Sequence, residues 1–213
     1  MSHPPSYADV LAAARRLEGH AVKTPLLSSD KLNKRFGKQI WFKAECLQKK
    51  NAFKYRGAFN RLSAMTAAER ARGVVAFSSG NHAQGVSCAA KELGMDAIIV
   101  MPADAPKVKT DGVLVDGATI VSYDRNTESR EDIAAEIAKR DGRTLVPSFD
   151  DPWIIAGQGT IGIELAEAEP KFDAMITCLG GGGMCAGISL ALAELSPRPV
   201  YLGRSPNIIM IIN

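Results

Sequence analysis

The chain lacks any apolar run approaching the ~18 residues that a membrane-spanning helix needs. Its first residues, Met1-Ser2-His3-Pro4-Pro5, lack the basic segment followed by an apolar stretch that marks a secretory leader. The expectation is a cytoplasmic protein with no membrane partner. Cysteine is sparse, and Cys46, Cys88, Cys178 and Cys185 form no C-x-x-C pair. The histidines are not spaced with them as zinc ligands, so neither a metal site nor a disulfide framework is expected, which fits a reducing compartment. The net charge of +3 is too small to argue for nucleic acid or an anionic surface as a partner. Internal repeats and low-complexity tracts are also missing.

What remains is an ordinary globular composition, 46% hydrophobic and 23% charged over 213 residues, enough for one large or two small domains. Tyr7 to Leu17 reads as a helix capped at Ser6, and a short helix follows Ser29 or Asp30 and stops near Gly37. Gln39 to Lys43 reads as a strand and Tyr55 to Met65 as a helix. From Val74 onward short apolar strands alternate with helices. The strands are Val74 to Phe77, Ala97 to Met101, Thr119 to Tyr123, Thr144 to Val146, Ala174 to Leu179 and Val200 to Leu202. The helices are Asn81 to Leu93, Pro106 to Asp116, Glu128 to Arg140, Gln158 to Ala168 and Met184 to Leu195. That alternation predicts βαβ units and a parallel α/β sheet with helices on both faces. Breaks near Ala71-Arg72-Gly73 and at Pro147 to Pro152 suggest that 73–148 is a small inserted domain. Residues 1–72 and 149–213 would then pair into the larger one. Ligands in such folds sit at the carboxyl ends of strands.

Three segments stand at those ends. Gly180 to Gly183 lies between a strand and a helix, where glycines let the backbone approach an anion and the helix N-terminus favours a phosphate. The same run fits a loose G-x-G-x-x-A dinucleotide loop (Gly181, Gly183, Ala186) or simple close packing, so it is weak alone. Ser78-Ser79-Gly80-Asn81-His82 repeats the strand-turn-helix logic, against the plain alternative of helix capping. Lys54 lies in Ala52-Phe53-Lys54-Tyr55-Arg56-Gly57 at the entry to a helix. It could be a surface lysine, but Phe53 offers an apolar wall, and desolvation lowers an amine's pKa toward the neutral form that imine chemistry requires. A lysine with two anion-receiving loops suits a pyridoxal-phosphate enzyme.

These segments, with Lys43-x-Glu45-x-x-Gln48 and Gly157-Gln158-Gly159-Thr160, stand in the order found in the pyridoxal-phosphate-dependent serine/threonine dehydratases and serine racemases. The chain resembles that family from about Tyr7 to Leu202. The resemblance implies the tryptophan-synthase-β fold (fold type II), with a small domain inserted in a large one. It implies Lys54 as the Schiff-base lysine and general base, Phe53 beside the cofactor ring, and Asn81 on the cofactor's 3-hydroxyl. Gly180, Gly181, Gly182 and Gly183 would cradle the phosphate, and Ser78, Ser79, Gly80, Asn81 and His82 the substrate carboxylate. The implied reaction is an ammonia-lyase step on threonine, serine or 3-hydroxyaspartate, giving a 2-oxo acid and ammonia. Ser79 also permits racemisation with Lys54 on the opposite face of the α-carbon. A homodimer and a divalent cation such as Mg are implied for full-length relatives.

The chain departs from the family pattern at Ala52, where many relatives carry serine, and at its end. Relatives are roughly half again as long and continue after Val200-Tyr201-Leu202 with Glu-Pro and acidic metal ligands. This chain reads Gly203-Arg204-Ser205-Pro206-Asn207-Ile208-Ile209-Met210-Ile211-Ile212-Asn213. The expectation is a truncated large domain without those metal ligands, exposed apolar sheet and poor solubility, or an inactive fragment. A frame shift would account for the tail. If Ser205 to Met210 were encoded AGC-CCG-AAT-ATT-ATG-AT after an arginine codon ending in G, reading one base earlier would give Glu-Pro-Glu-Tyr-Tyr-Asp.

Overall fold

A computed structural model describes residues 3–168, 174–195, 200–204 and 211–212. The first helix, α1 (Tyr7–Leu17), opens with a reciprocal cap in which the Ser6 backbone N–H and hydroxyl both donate to Asp9, at 2.8 and 2.7 Å. It buries Val10, Ala13 and Leu17, the one-face spacing of an amphipathic helix. A strand β1 (Leu26–Ser28), helix α2 (Asp30–Phe36) and strand β2 (Trp41–Lys43) follow. Helix α2 ends at Gly37 in the left-handed region, with its N–H bonded to Asn33. Two 3-10 turns, Glu45–Leu47 and Lys49–Asn51, lead into α3 (Lys54–Ser63) and the short α4 (Ala67–Arg72).

The next stretch alternates as expected: β3 (Val74–Phe77), α5 (Asn81–Glu92), β4 (Ala97–Pro102), α6 (Lys107–Leu114), β5 (Thr119–Tyr123), α7 (Arg130–Asp141) and β6 (Thr144–Leu145). These strands form a wholly parallel sheet in the order β5-β4-β3-β6, with Val74 opposite Ala97 on one side and Thr144 on the other. The central strand is covered on both faces, which is why Val74, Val75 and Ala76 are all fully buried and read as a continuous apolar run.

The chain continues through α8 (Pro152–Ala166), β7 (Ala174–Cys178), α9 (Gly183–Leu195), β8 (Val200–Arg204) and β9 (Ile211–Ile212). The second sheet runs β1-β2-β9-β7-β8. It is mixed, unlike the parallel arrangement expected from the sequence. Only β7 and β8 are parallel, because they alone are joined by a crossover helix; β1–β2, β2–β9 and β7–β9 are antiparallel. The expected frame-shifted segment lies largely outside the described residues, at 205–210 and 213.

The largest apolar cluster joins α3, α5, β3 and β4 through Tyr55, Phe59, Leu62, Val86 and Ile99. Helix α8 lies directly against both α3 and α9. A Cβ at Gly157 would come 2.7 Å from the Gly57 Cα, and one at Gly187 would come 2.2 Å from the Ile155 carbonyl oxygen. The small residues therefore set the helix spacing beneath the strand ends, and this stack carries the site.

Candidate active site

The approach to Lys54 is a tight turn built from Lys50 and Asn51 at φ 58° and 56°, both left-handed and neither glycine. Such residues cost of order 1 kcal/mol each unless the surroundings hold them. Here the Lys50 ammonium meets Asp116 at 2.6 Å, and Lys49 meets Glu92 at 2.9 Å. The turn delivers Lys54 to the first position of α3. On its other side α5 lies so close that a Cβ at Gly85 would be 3.1 Å from the Lys54 carbonyl carbon.

The Lys54 amine donates to the Ser148 carbonyl at 2.5 Å and lies 5.3 Å from the centroid of the Phe53 ring. Burial in this apolar setting lowers its pKa to about 8, against a smaller opposing influence from Cys178. A substantial fraction is therefore neutral near physiological pH, as a nucleophilic or basic amine must be.

Lys54 opens into a cavity of about 170 Å³ that Phe53, Gln158 and all of Gly180 to Gly183 also line. Gly182 has φ +85°, and the Phe149 ring rests on Gly181, where a Cβ would come within 2.1 Å of it. Any side chain at Gly181 would displace that ring. Helix α9 begins at Gly183, so its free N–H groups and positive end face the loop.

Ser78, Ser79, Gly80, Asn81 and His82 do not line this cavity. They form the turn from β3 into α5, where the Gly80 N–H is held by the Ser78 hydroxyl at 3.2 Å and Ser79 is exposed. Asn81 and Gly85 lie on one face of α5, four residues apart, so the face that meets Lys54 also carries Asn81. The Asn81 side-chain oxygen accepts from Lys109 of α6 at 2.8 Å. His82 is fully enclosed and bonds the Val146 carbonyl at 3.0 Å; burial lowers its pKa to about 4, so it stays neutral. Its ring ties α5 to the segment that carries Ser148.

Sequence reasoning missed a buried ionic network on the other side of α3. Arg56, 1% exposed, donates to Glu45 at 2.8 Å and Glu164 at 2.6 Å, and to the Thr160 hydroxyl at 3.2 Å. Lys43 also pairs with Glu164, and the Thr24 hydroxyl donates to Glu45 at 2.5 Å. Burial works against the charge on both cations. The carboxylates outweigh it at Arg56, whose pKa is raised, but not at Lys43, whose pKa is lowered. Lys43, Glu45 and Arg56 were visible as a motif, but Glu164 carried no signal, because it joins them only across the helix crossing.

The sequence profile described as "Pyridoxal-phosphate dependent enzyme" matches residues 17–211. The chain belongs to this family. It is 51% identical over 201 residues to an L-threo-3-hydroxyaspartate ammonia-lyase of Pseudomonas sp, covering 94% of this chain and 63% of that protein. It is 45% identical to a serine racemase of Schizosaccharomyces pombe, covering 95% of this chain and 62% of that one. The solved structure of maize serine racemase superposes with a TM-score of 0.91 at 36% identity, covering 94% of this chain and 61% of that chain. The fold is thus α/β, fold type II, and the chain spans a little over three fifths of the length of these relatives.

The residues fit the family's cofactor. A desolvated lysine amine faces a glycine loop at a helix N-terminus across one cavity, with an aromatic ring alongside. Gln158, which lines that cavity, has a buried side-chain nitrogen without a partner among the described residues.

Proposed function

We propose that the chain is the cofactor-anchoring part of a pyridoxal-phosphate-dependent ammonia-lyase acting on small β-hydroxy amino acids, namely threonine, serine or 3-hydroxyaspartate. The observation that carries this reading is the Lys54 amine, lowered to about 8 by burial and facing Gly180 to Gly183 across one cavity. Bound there, the cofactor supplies an electron sink for charge developing at the substrate's α-carbon.

The chain's own groups do the rest. Lys54 would hold the cofactor's aldehyde, and its amine would serve as the general base for the substrate's α-proton. Gly180, Gly181, Gly182 and Gly183 would offer backbone N–H groups to the phosphate. Phe53 would cover the ring and keep water from the amine. Asn81, whose side-chain oxygen already accepts from Lys109, would keep its side-chain N–H for the 3-hydroxyl. Ser78, Ser79, Gly80 and the start of α5 at Asn81 and His82 receive the substrate carboxylate through backbone and hydroxyl donors; the enclosed His82 ring acts only by holding the Val146 carbonyl. Loss of the β-hydroxyl and hydrolysis yield a 2-oxo acid and ammonia. We also read 73–148 as a unit inserted into the remainder, since the parallel four-stranded sheet is formed wholly from 74–145.

A second reading, amino-acid racemisation, is favoured by Ser79. Its exposed side chain lies in the turn before the α5 face that rests on Lys54, where a hydroxyl could serve the opposite face of the α-carbon. The assay is incubation with L-serine, L-threonine and L-threo-3-hydroxyaspartate, with Lys54→Ala as control. Formation of 2-oxo acid that the control lacks supports the lyase. D-serine without pyruvate replaces it with the racemase. Neither product, from a chain that binds cofactor, leaves it as an inactive fragment that anchors cofactor without turnover.

A further inference from the structure

The Gly157-Gln158-Gly159-Thr160 motif lies in α8. Packing accounts for its glycines: a Cβ at Gly157 would come 2.7 Å from the Arg56 carbonyl oxygen, and one at Gly159 would come 2.7 Å from that of Gly187. Thr160 is accounted for too, because its hydroxyl donates to the Gly157 carbonyl at 2.8 Å and accepts from Arg56. Packing does not account for Gln158. Its side chain is 1% exposed, yet an apolar residue of the same length would fill the space without a polar cost.

One end of Gln158 is used. Its Oε1 accepts from the Gly57 N–H at 3.3 Å, three residues beyond Lys54 in the first turn of α3. That bond fixes the orientation of the amide, since the reverse would set donor against donor. The Nε2 is then a buried donor without a partner among the described residues, on a residue lining the cavity that holds Lys54 and Gly180 to Gly183. An unmet buried donor costs about 1–3 kcal/mol. A ligand in the cavity that Gln158 lines would supply the missing acceptor.

We propose that Gln158 is a cofactor-binding residue: its Nε2–H donates to an oxygen of the pyridoxal phosphate held in this cavity, while its Oε1 registers the Lys54 turn against α8. The inference rests on the reading that Lys54 anchors the cofactor. A hydrogen bond to an anionic oxygen contributes roughly 1.5–3 kcal/mol, or about 10- to 150-fold in affinity.

The test is a titration of the chain and its Q158E variant with pyridoxal phosphate, following the imine absorbance and carried out over a range of pH. The ionised carboxylate introduced by that substitution still accepts from Gly57 but cannot donate. The expected result is a dissociation constant raised at least tenfold, with the loss growing as pH rises and the new carboxyl ionises, read at the pH values where the cofactor-free variant still melts cooperatively, because a buried carboxylate lowers stability. An unchanged dissociation constant at every pH overturns the proposal. If Q158E does not fold, nuclear magnetic resonance of the unmodified chain decides. A downfield move of the assigned Gln158 Nε2–H signals on adding cofactor supports the donor role, and signals that stay in place overturn it. Borohydride trapping on the unmodified chain separates the two levels. An adduct on Lys54 with no effect at Gln158 sinks only this inference, whereas no adduct on Lys54 sinks the reading beneath it.

Discussion

At Lys54 the chemistry depends on where the proton resides. Its pKa near 8 predicts that reductive labelling of this side chain titrates about two units below that of an exposed lysine, measurable by pH-dependent modification and peptide mapping. The same shift has a thermodynamic sign. The folded amine binds its proton less tightly than the unfolded one, so between about 8 and 10.5 the unfolded state carries more protons and stability rises with pH. The contribution is complete above the unfolded value and is lost as pH falls through about 8. Lys54→Met should abolish that slope in urea melts taken across the window; an unchanged slope would place its origin elsewhere. The lysine was legible in the sequence because its motif is local. The Ser148 carbonyl that holds its amine was not, because that contact spans 94 residues.

At the scale of elements, the crossing of α3, α8 and α9 holds the site in register. Gly187→Ala would drive a Cβ to within 2.2 Å of the Ile155 carbonyl oxygen, and overpacking of this kind costs about 1–3 kcal/mol. Chemical denaturation should show that loss, and a wild-type midpoint would mean that the helices part without cost. Arg56→Leu should cost more, about 3–5 kcal/mol, because Glu45 is left buried without its cation while Glu164 keeps Lys43. A neutral result would show that the network relaxes to water.

The helices themselves were mostly legible from periodicity, with two informative misses. Helix α4 went unread although Thr66 and Glu69 form a reciprocal cap, with the Thr66 N–H donating at 2.7 Å. Its six residues are too few to display a period. Helix α8 begins at Pro152, six residues earlier than the apolar pattern suggested. Asp151 caps it by accepting from Trp153 and Ile154 at 2.8 and 3.0 Å, and Pro152 takes the first position, where its missing N–H costs nothing. The same Asp-Pro pair that reads as a break is a helix start.

Across the whole molecule, the parallel four-stranded sheet was readable because each strand is short, apolar and followed by a helix. The mixed sheet was not, since β1 carries little apolar pattern and strand pairing among β2, β7 and β9 is set by tertiary contact. Cofactor binding should act on the chain as a unit. At a free concentration one hundred times its dissociation constant, pyridoxal phosphate should add about 2.7 kcal/mol to folding. That rise should appear as a higher melting temperature in the wild-type chain and shrink sharply in Lys54→Ala. Equal stabilisation of both would assign the binding to another group.

The central claim is that one buried amine anchors the cofactor. Incubation with pyridoxal phosphate, reduction with borohydride and peptide mapping by mass spectrometry tests it most directly. The account predicts a single reduced adduct on the peptide carrying Lys54, forming fastest above pH about 8. An adduct spread over surface lysines, or absent from Lys54, would contradict it.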